Sequence, residues 1–202
     1  IKRATKSAVC GLVDIGDLLN LKIIEKQEYM LHMHIQVKAD KDHLGTLTIS
    51  GKSYPCALGK SGVTSNKIEG DNATPLGTYP IRAVYYRPDR LSKPQCALDP
   101  LEITAKDGWC DDPAHAAYNR KITLPFSASH EVLAREDHVY DVIVILGHND
   151  DPPIPGQGSC IFMHVAREGY SGTEGCIALS LQDLLDVLTC VSKDTAIDII
   201  AA

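Results

Sequence analysis

An almost unbroken run of β-branched and aliphatic residues constrains the fold of this chain more than any other feature. The run covers residues 139–146 and reads Val-Tyr-Asp-Val-Ile-Val-Ile-Leu. It is far shorter than the ~20 apolar residues that cross a bilayer. Such a segment is typical of a β-strand that is buried on both faces. We therefore expect residues 139–146 to lie at the centre of a β-sheet.

Shorter strands are predicted on both sides of this run. Residues 29–37 alternate between apolar and polar side chains, which indicates a half-buried strand. Residues 44–50 and 54–58 predict a hairpin that turns at Ser50-Gly51-Lys52. Further strands are predicted at residues 81–86, 160–165, 176–179 and 195–200.

A single helix is predicted near the C-terminal end. Ser180 begins a sequence similar to a capping box, and four leucines then share one helical face. They are Leu181, Leu184, Leu185 and Leu188. Frequent glycines and prolines predict loops at residues 59–78 and 88–120. The second of these loops is predicted to be a long surface excursion. This pattern predicts a mainly β domain with one or two helices over residues 28–202, after an ambiguous N-terminal extension at residues 1–27.

Composition and charge exclude several classes of protein. The 202 residues are 44% hydrophobic and 23% charged, as in globular proteins. A formal net charge of −6 is the opposite of what nucleic acid binding favours, so we expect no nucleic acid partner. No apolar run is long enough for a membrane span. The basic residues Lys2, Arg3 and Lys6 precede an apolar stretch that ends at Asp14, which is too short for an export signal.

The sequence has seven cysteines, and their spacing does not assign disulfide pairs or a metal site. Their number is odd and no Cys-x-x-Cys pair occurs, so a zinc ribbon or a thioredoxin-type site has little support. Either a reduced state or a disulfide is open for Cys56, Cys96, Cys110, Cys160 and Cys190.

Cys176 is the strongest candidate for a catalytic nucleophile. His164 ends one predicted strand and Cys176 begins the next, with a polar loop between them. Histidine is the side chain best suited to deprotonate a thiol at neutral pH. Gly175 lets the backbone turn so that N–H groups can face an oxyanion. The alternative is that Cys176 is a small buried hydrophobe and His164 a hydrogen-bonded strand residue.

The sequence resembles the L,D-transpeptidase family, the YkuD-type catalytic domain of bacterial peptidoglycan enzymes. The resemblance is carried by residues 57–63, 67–79, 109–113, 118–119 and 164–179. It implies a β-sandwich-like sheet with Cys176 as nucleophile, His164 as base, and backbone donors at Gly175 around the thiol. The implied reaction requires no cofactor and no metal.

The chain departs from the common family signature in the loop before the cysteine. Eight residues separate His164 from Thr173, fewer than is usual in the family. Glu174 stands where the family has a second histidine. Because this loop belongs to the substrate groove of the family, Thr173 and Glu174 are implied substrate-binding residues. We expect Arg167 to supply the cation that holds a stem-peptide carboxylate.

The resemblance implies acyl transfer between peptidoglycan stem peptides, as donor and acceptor, in the bacterial periplasm or cell envelope. The donor acyl group comes from diaminopimelate, giving a 3-3 cross-link, or from L-Ala, giving a 1-3 cross-link. Water as acceptor gives L,D-carboxypeptidase activity instead. A cysteine peptidase acting on stems and a non-catalytic peptidoglycan-binding module are the remaining alternatives.

Other residues have two readings each. His148 is an alternative base or orienting group, or part of a solvated turn. One interpretation is that the groove is lined by Trp109, Tyr118 and Asn119. The other is that the tryptophan anchors its own loop. A metal hydrolase built on His148, His164 and a cysteine at 160 or 176 lacks a familiar ligand spacing.

Overall fold

The computed structural model describes residues 34–202, with side chains from residue 36 onward. The predictions for residues 1–27 and for the first part of the 29–37 strand lie outside these residues. The strands of the described part are β1 (His34–Ala39), β2 (Leu44–Ile49), β3 (Lys52–Ala57), β4 (Val63–Thr64), β5 (Thr74–Pro75), β6 (Gly77–Tyr86), β7 (Leu101–Glu102), β8 (Asp107–Cys110), β9 (Lys121–Thr123), β10 (His130–Val132), β11 (Val142–Leu146), β12 (Phe162–Val165), β13 (Ile177–Leu179) and β14 (Ala196–Ile200). One α-helix, α1 (Leu181–Leu188), and two short 3-10 turns, His138–Tyr140 and Glu168–Tyr170, complete this part.

Eight of the strands form a sheet that closes on itself. The pairing order is β11-β12-β13-β3-β2-β1-β14-β6, and β6 pairs again with β11. Most neighbours are antiparallel, but β12 and β13 run parallel, as do β1 and β14. A second layer, the three-stranded sheet β10-β8-β9, contributes Trp109, whose ring packs 5.3 Å from that of Phe162 on β12. The expectation of a mainly β domain with one or two helices is confirmed.

The apolar run predicted to be doubly buried is strand β11. It lies between β6 and β12, and all five of its residues are buried. Its side chains alternate between two apolar clusters, one inside the closed sheet with Val142 and Val144, and one outside it with Ile143 and Ile145. The strand therefore joins two cores, which explains why it shows no polar face.

The hairpin and the helix form where local sequence chemistry predicts them. Ser50 and Gly51 both have positive φ, 51° and 76°, which is the backbone of a two-residue hairpin turn. The Ser180 side chain accepts a hydrogen bond from the Asp183 N–H and caps α1. The helix then buries Leu184 and Leu188 completely against the closed sheet.

The structure differs from the predicted elements in three places. Residues 138–140 form a 3-10 turn, so β11 begins at residue 142. Strand β6 begins at residue 77, inside the predicted loop, because residues 77–80 pair with β14. The 88–120 segment is not a surface excursion, since it supplies β7 and β8 and buries Ile103 and Cys110 to 3% and 0% exposure.

Candidate active site

Parallel pairing of β12 and β13 places the two candidate catalytic side chains on one face. The register sets His164 opposite Ala178, so Cys176 is level with Phe162, two residues from His164. Side chains two residues apart on a strand point to the same face. Both face outward, where Cys176 and Phe162 pack in the outer apolar cluster.

The Cys176 thiol is hydrogen-bonded and nearly enclosed. Its Sγ donates to the Cys160 carbonyl at 3.1 Å and accepts from the Phe162 N–H at 3.4 Å. The residue is 8% exposed. Burial, together with the negative charge of Glu131, raises the pKa of the Cys176 thiol to about 12. The resting residue is therefore a neutral thiol.

His164 is held in one tautomer. Its Nδ1 lies 2.9 Å from the carbonyl oxygen of Val165, and because a carbonyl only accepts, Nδ1 carries the proton. Nε2 is then the basic nitrogen. Burial lowers the pKa of His164 to about 4, so the ring is neutral at pH 7. The Tyr140 ring packs edge-on against the imidazole, with the centroids 5.5 Å apart, and fixes its orientation.

The turn before the cysteine is built by Thr173 and Gly175. Thr173 Oγ1 donates to the Cys176 carbonyl at 2.7 Å and accepts from the Gly175 N–H at 3.2 Å. Gly175 has a φ of 133°, and a side-chain carbon there would lie 3.0 Å from the Ala73 carbonyl oxygen. Glycine is therefore required at this position. The Gly175 N–H is engaged with Thr173 in this structure and not open to an oxyanion.

One cavity of about 150 Å³ contains both candidate catalytic residues. We call it the cysteine pocket. It is lined by Lys60, Glu131, Arg135, Val139, Tyr140, His164, Arg167, Gly172, Thr173, Glu174 and Cys176. Four of the substrate-binding or catalytic residues expected beside Cys176 are thus found there: His164, Arg167, Thr173 and Glu174.

Charges of both signs surround the thiol. Arg167, 53% exposed, lies 3.4 Å from Asp137, and exposed Glu174 lies 3.2 Å from Lys60. The sequence reasoning missed Arg135, which pairs with Asp137 at 2.8 Å and stacks over the Tyr140 ring. A pocket with several cations suits a substrate that carries carboxylates.

The other expected groove residues lie outside the cysteine pocket. Asn119 Oδ1 accepts from the Trp109 indole N–H at 3.0 Å and from the Cys160 N–H at 3.2 Å. The Tyr118 hydroxyl donates to Glu69. These contacts hold the backbone at residue 160, whose carbonyl accepts the Cys176 thiol. The structure therefore brings Trp109, Tyr118 and Asn119 to the support of the site.

His148 lies in a separate recess of about 200 Å³, which we call the lysine pocket. It is lined by Thr64, Ser65, Asn66, Lys67, Pro75, Leu76, Tyr79, His148 and Gln157. His148 Nε2 lies 2.9 Å from the Gln157 carbonyl oxygen and so donates to it. The structure does not bring His148 to the thiol.

Within residues 34–202 no group of three or more His, Cys, Asp or Glu side chains is placed to hold a metal ion. The six cysteines of this part are free thiols. No helix there is long and apolar enough to cross a membrane.

Comparison with known proteins decides the family. The family model of the L,D-transpeptidase catalytic domain, YkuD, matches residues 33–199. The chain belongs to the L,D-transpeptidase family. This is the family that the motif resemblance named.

The match contains every residue of the cysteine pocket of this L,D-transpeptidase domain. The crystal structure of Mycobacterium tuberculosis L,D-transpeptidase 1 at 1.89 Å is similar at 13% sequence identity and a TM-score of 0.35. That similarity covers 84% of this chain and 62% of the other. The comparison with curated proteins gives no match.

Six pocket residues of the transpeptidase domain were not predicted as site residues. Four of them, Glu131, Arg135, Val139 and Tyr140, come from β10 and the segment that follows it, distant in sequence from Cys176. Tyr140 was assigned to a continuous strand, although Asp141 interrupts that run. The acidic and basic residues around it were the available signal that a turn precedes β11.

Proposed function

We propose that this L,D-transpeptidase domain cross-links peptidoglycan stem peptides through a thioester on Cys176. The observation that carries the proposal is the shared pocket of Cys176 and His164, in which His164 presents Nε2 as its basic nitrogen. In the proposed reaction the neutral thiol gives its proton to the neutral imidazole as the sulfur attacks the substrate.

In the first half-reaction, His164 Nε2 takes the thiol proton while the sulfur attacks a donor peptide carbonyl. We expect the Cys176 N–H to stabilise the oxyanion, because the Gly175 N–H is occupied by Thr173. His164 then protonates the departing amine and an acyl thioester remains. Arg167 is expected to bind a carboxylate of the donor stem.

In the second half-reaction, an acceptor amine attacks the thioester. The new amide is the cross-link, and the thiol is restored. A donor acyl group from diaminopimelate gives a 3-3 link and one from L-Ala gives a 1-3 link. The short loop between His164 and Thr173, a difference from the family signature, favours examining both donors.

Peptidoglycan as substrate places the reaction in the bacterial periplasm or cell envelope. This location follows from the substrate and is part of the same proposal.

The test is incubation of the protein with purified muropeptides of defined stem length, followed by mass analysis of the products. We expect a dimer with wild-type protein and none with Cys176→Ala. The mass of the released fragment identifies the donor bond. A shortened monomer without dimer would instead show L,D-carboxypeptidase activity, and unchanged muropeptides would leave only a binding module.

A further inference from the structure

Glu131 is a carboxylate in the cysteine pocket that the mechanism above does not use. It lies on β10, and one of its oxygens, Oε2, accepts the Tyr140 hydroxyl. The same tyrosine packs against His164. Glu131 is therefore fixed in the cavity that contains the sulfur and the base.

The second oxygen of Glu131 has no such partner. Within residues 34–202, Oε1 makes no hydrogen bond and no Lys or Arg lies within ion-pair distance of it. Arg135 forms its ion pair with Asp137, and its charge acts on Glu131 without an ion pair, which lowers the pKa of that carboxyl. Asp111 adds negative potential beside Glu131, and its buried Oδ1 also has no hydrogen-bond partner in the described part of the chain.

A largely buried carboxylate without an ion-pair partner is unfavourable in a folded protein. A positively charged group that enters the pocket would offset this penalty. The proposed reaction passes through a thioester, and the second substrate that attacks this thioester is an amine. Aliphatic amines are ammonium ions at neutral pH and do not attack carbonyl carbon in that form.

We propose that Glu131 binds the ammonium group of the acceptor and removes the first of the two protons that its nitrogen loses. This inference rests on the proposed function and names the group that prepares its second substrate. Burial also raises the pKa of Glu131, which makes its carboxylate a stronger base than an exposed one.

The protons and charges of the step balance. The ammonium gives one proton to the Glu131 carboxylate and becomes a neutral amine. The amine nitrogen forms a bond to the thioester carbonyl carbon, and the carbon–sulfur bond breaks. The second proton passes from nitrogen through His164 to the Cys176 sulfur. The products are the amide, a neutral thiol and a protonated Glu131, which then loses its proton to solvent.

The test separates acceptors by their charge. Glu131→Gln keeps an oxygen that accepts the Tyr140 hydroxyl but removes the base. Acyl-enzyme is formed from a stem-peptide donor, and its decay is followed with diaminopimelate or with hydroxylamine, a nucleophile that is uncharged at neutral pH. The matched control is Glu136→Gln, an exposed acid five residues away that does not line the cysteine pocket.

We expect Glu131→Gln to slow transfer to diaminopimelate tenfold or more while transfer to hydroxylamine changes less than threefold. Both rates are measured from acyl-enzyme already formed, so a change in acylation does not enter them. The Glu136→Gln rates are expected to match wild type. Equal losses with both nucleophiles, or no loss with either, would overturn the role of Glu131 and leave the proposed function intact. Absence of any acyl-enzyme in wild-type protein would overturn both.

Discussion

The cysteine pocket and the lysine pocket each hold a histidine in similar surroundings. In both, one ring nitrogen donates to a backbone carbonyl, at 2.9 Å, and a tyrosine ring packs edge-on against the imidazole. Burial lowers the pKa of both histidines. By these criteria His164 and His148 are equally good candidate bases.

The two pockets differ in what lies beside the imidazole. His164 has its Nδ1 bound and shares its cavity with the Cys176 thiol. His148 has its Nε2 bound and shares its recess with Lys67, whose ammonium pairs with Asp71. A constrained neutral histidine is thus a candidate base only where a nucleophile occupies the same face.

The lysine pocket also affects the candidate site, through the position and charge of Lys67. Lys67 Nζ lies 3.3 Å from the position that a side-chain carbon on Gly175 would take. Its positive charge acts to lower the pKa of Cys176, whereas Glu131 acts to raise it. The two pockets therefore apply opposite potentials to the sulfur.

The largest expected effect separates the two histidines directly. His164→Gln removes the base, and general acid–base groups contribute about 10²–10⁴ in rate. His148→Gln leaves the thiol and its base in place, so we expect a loss of less than about tenfold. The measurement is the rate of dimer formation from muropeptides. Similar losses in the two variants would break the distinction between the pockets.

Acid sensitivity sharpens the comparison. The folded pKa of His164, about 4, lies below its ordinary value, so the unfolded chain binds a proton first as pH falls. Stability is therefore retained above about pH 6.5 and lost as pH falls toward 4. The loss is about 3 kcal/mol at most, at ~1.4 kcal/mol per pKa unit.

Denaturant unfolding of wild type and His164→Asn at pH 7 and pH 5 checks this expectation. The variant should lose less stability between the two pH values than wild type does. His148→Asn should flatten the profile less, because the pKa of His148 is lowered to a smaller extent. A His164→Asn profile as steep as that of wild type, or steeper, would contradict the assignment.

Two glycines with positive φ allow a matched test of the backbone. Gly175 has φ 133°, and Gly158, next to the lysine pocket, has φ 90° with Lys67 Cγ 2.8 Å from a new side-chain carbon. Each change to alanine is expected to destabilise the fold by about 1–3 kcal/mol. Only Gly175→Ala should also reduce acylation, because it displaces the thiol. Unimpaired acylation in that variant would show that the turn geometry is not needed.

The smallest effect concerns donor binding. Arg167 is half exposed, and an exposed ionic contact contributes up to about 1 kcal/mol, so Arg167→Ala should raise the donor KM about fivefold. Asn66→Ala, in the lysine pocket, serves as the control and should leave KM unchanged. An unchanged KM for Arg167→Ala would remove that residue from donor recognition.

The sequence predicts the parts of the fold that local chemistry determines. β11 follows from its apolar composition, the β2–β3 hairpin from Ser50-Gly51, and α1 from Ser180 and the leucine spacing. Closure of the sheet and the parallel pairing of β12 with β13 depend on partners far apart in sequence, which carry no local signal. The strands β8 to β10 have only three or four residues each, too few for periodicity to detect.

The residues of the candidate site also separate into those with a local sequence signal and those without one. Cys176 and His164 were found because their loop is short and resembles a family motif. Glu131 reaches the pocket from the second layer and Tyr140 from the 3-10 turn before β11, and an isolated charged or aromatic residue has no spacing that marks it. Thr173 was predicted as a residue of the substrate loop. Its bond to the Gly175 N–H depends on the geometry of the turn, which has no local sequence signal.

Trapping the acyl-enzyme tests the central role of Cys176 most directly. Wild-type protein is incubated with a stem-peptide donor, quenched in acid and measured by intact and peptide mass spectrometry. We predict one donor acyl group, located on Cys176, in wild type and in Cys160→Ala, which retains the backbone carbonyl that accepts the thiol. Cys176→Ala should carry none. An acyl group on another residue, or its persistence in Cys176→Ala, would contradict the account.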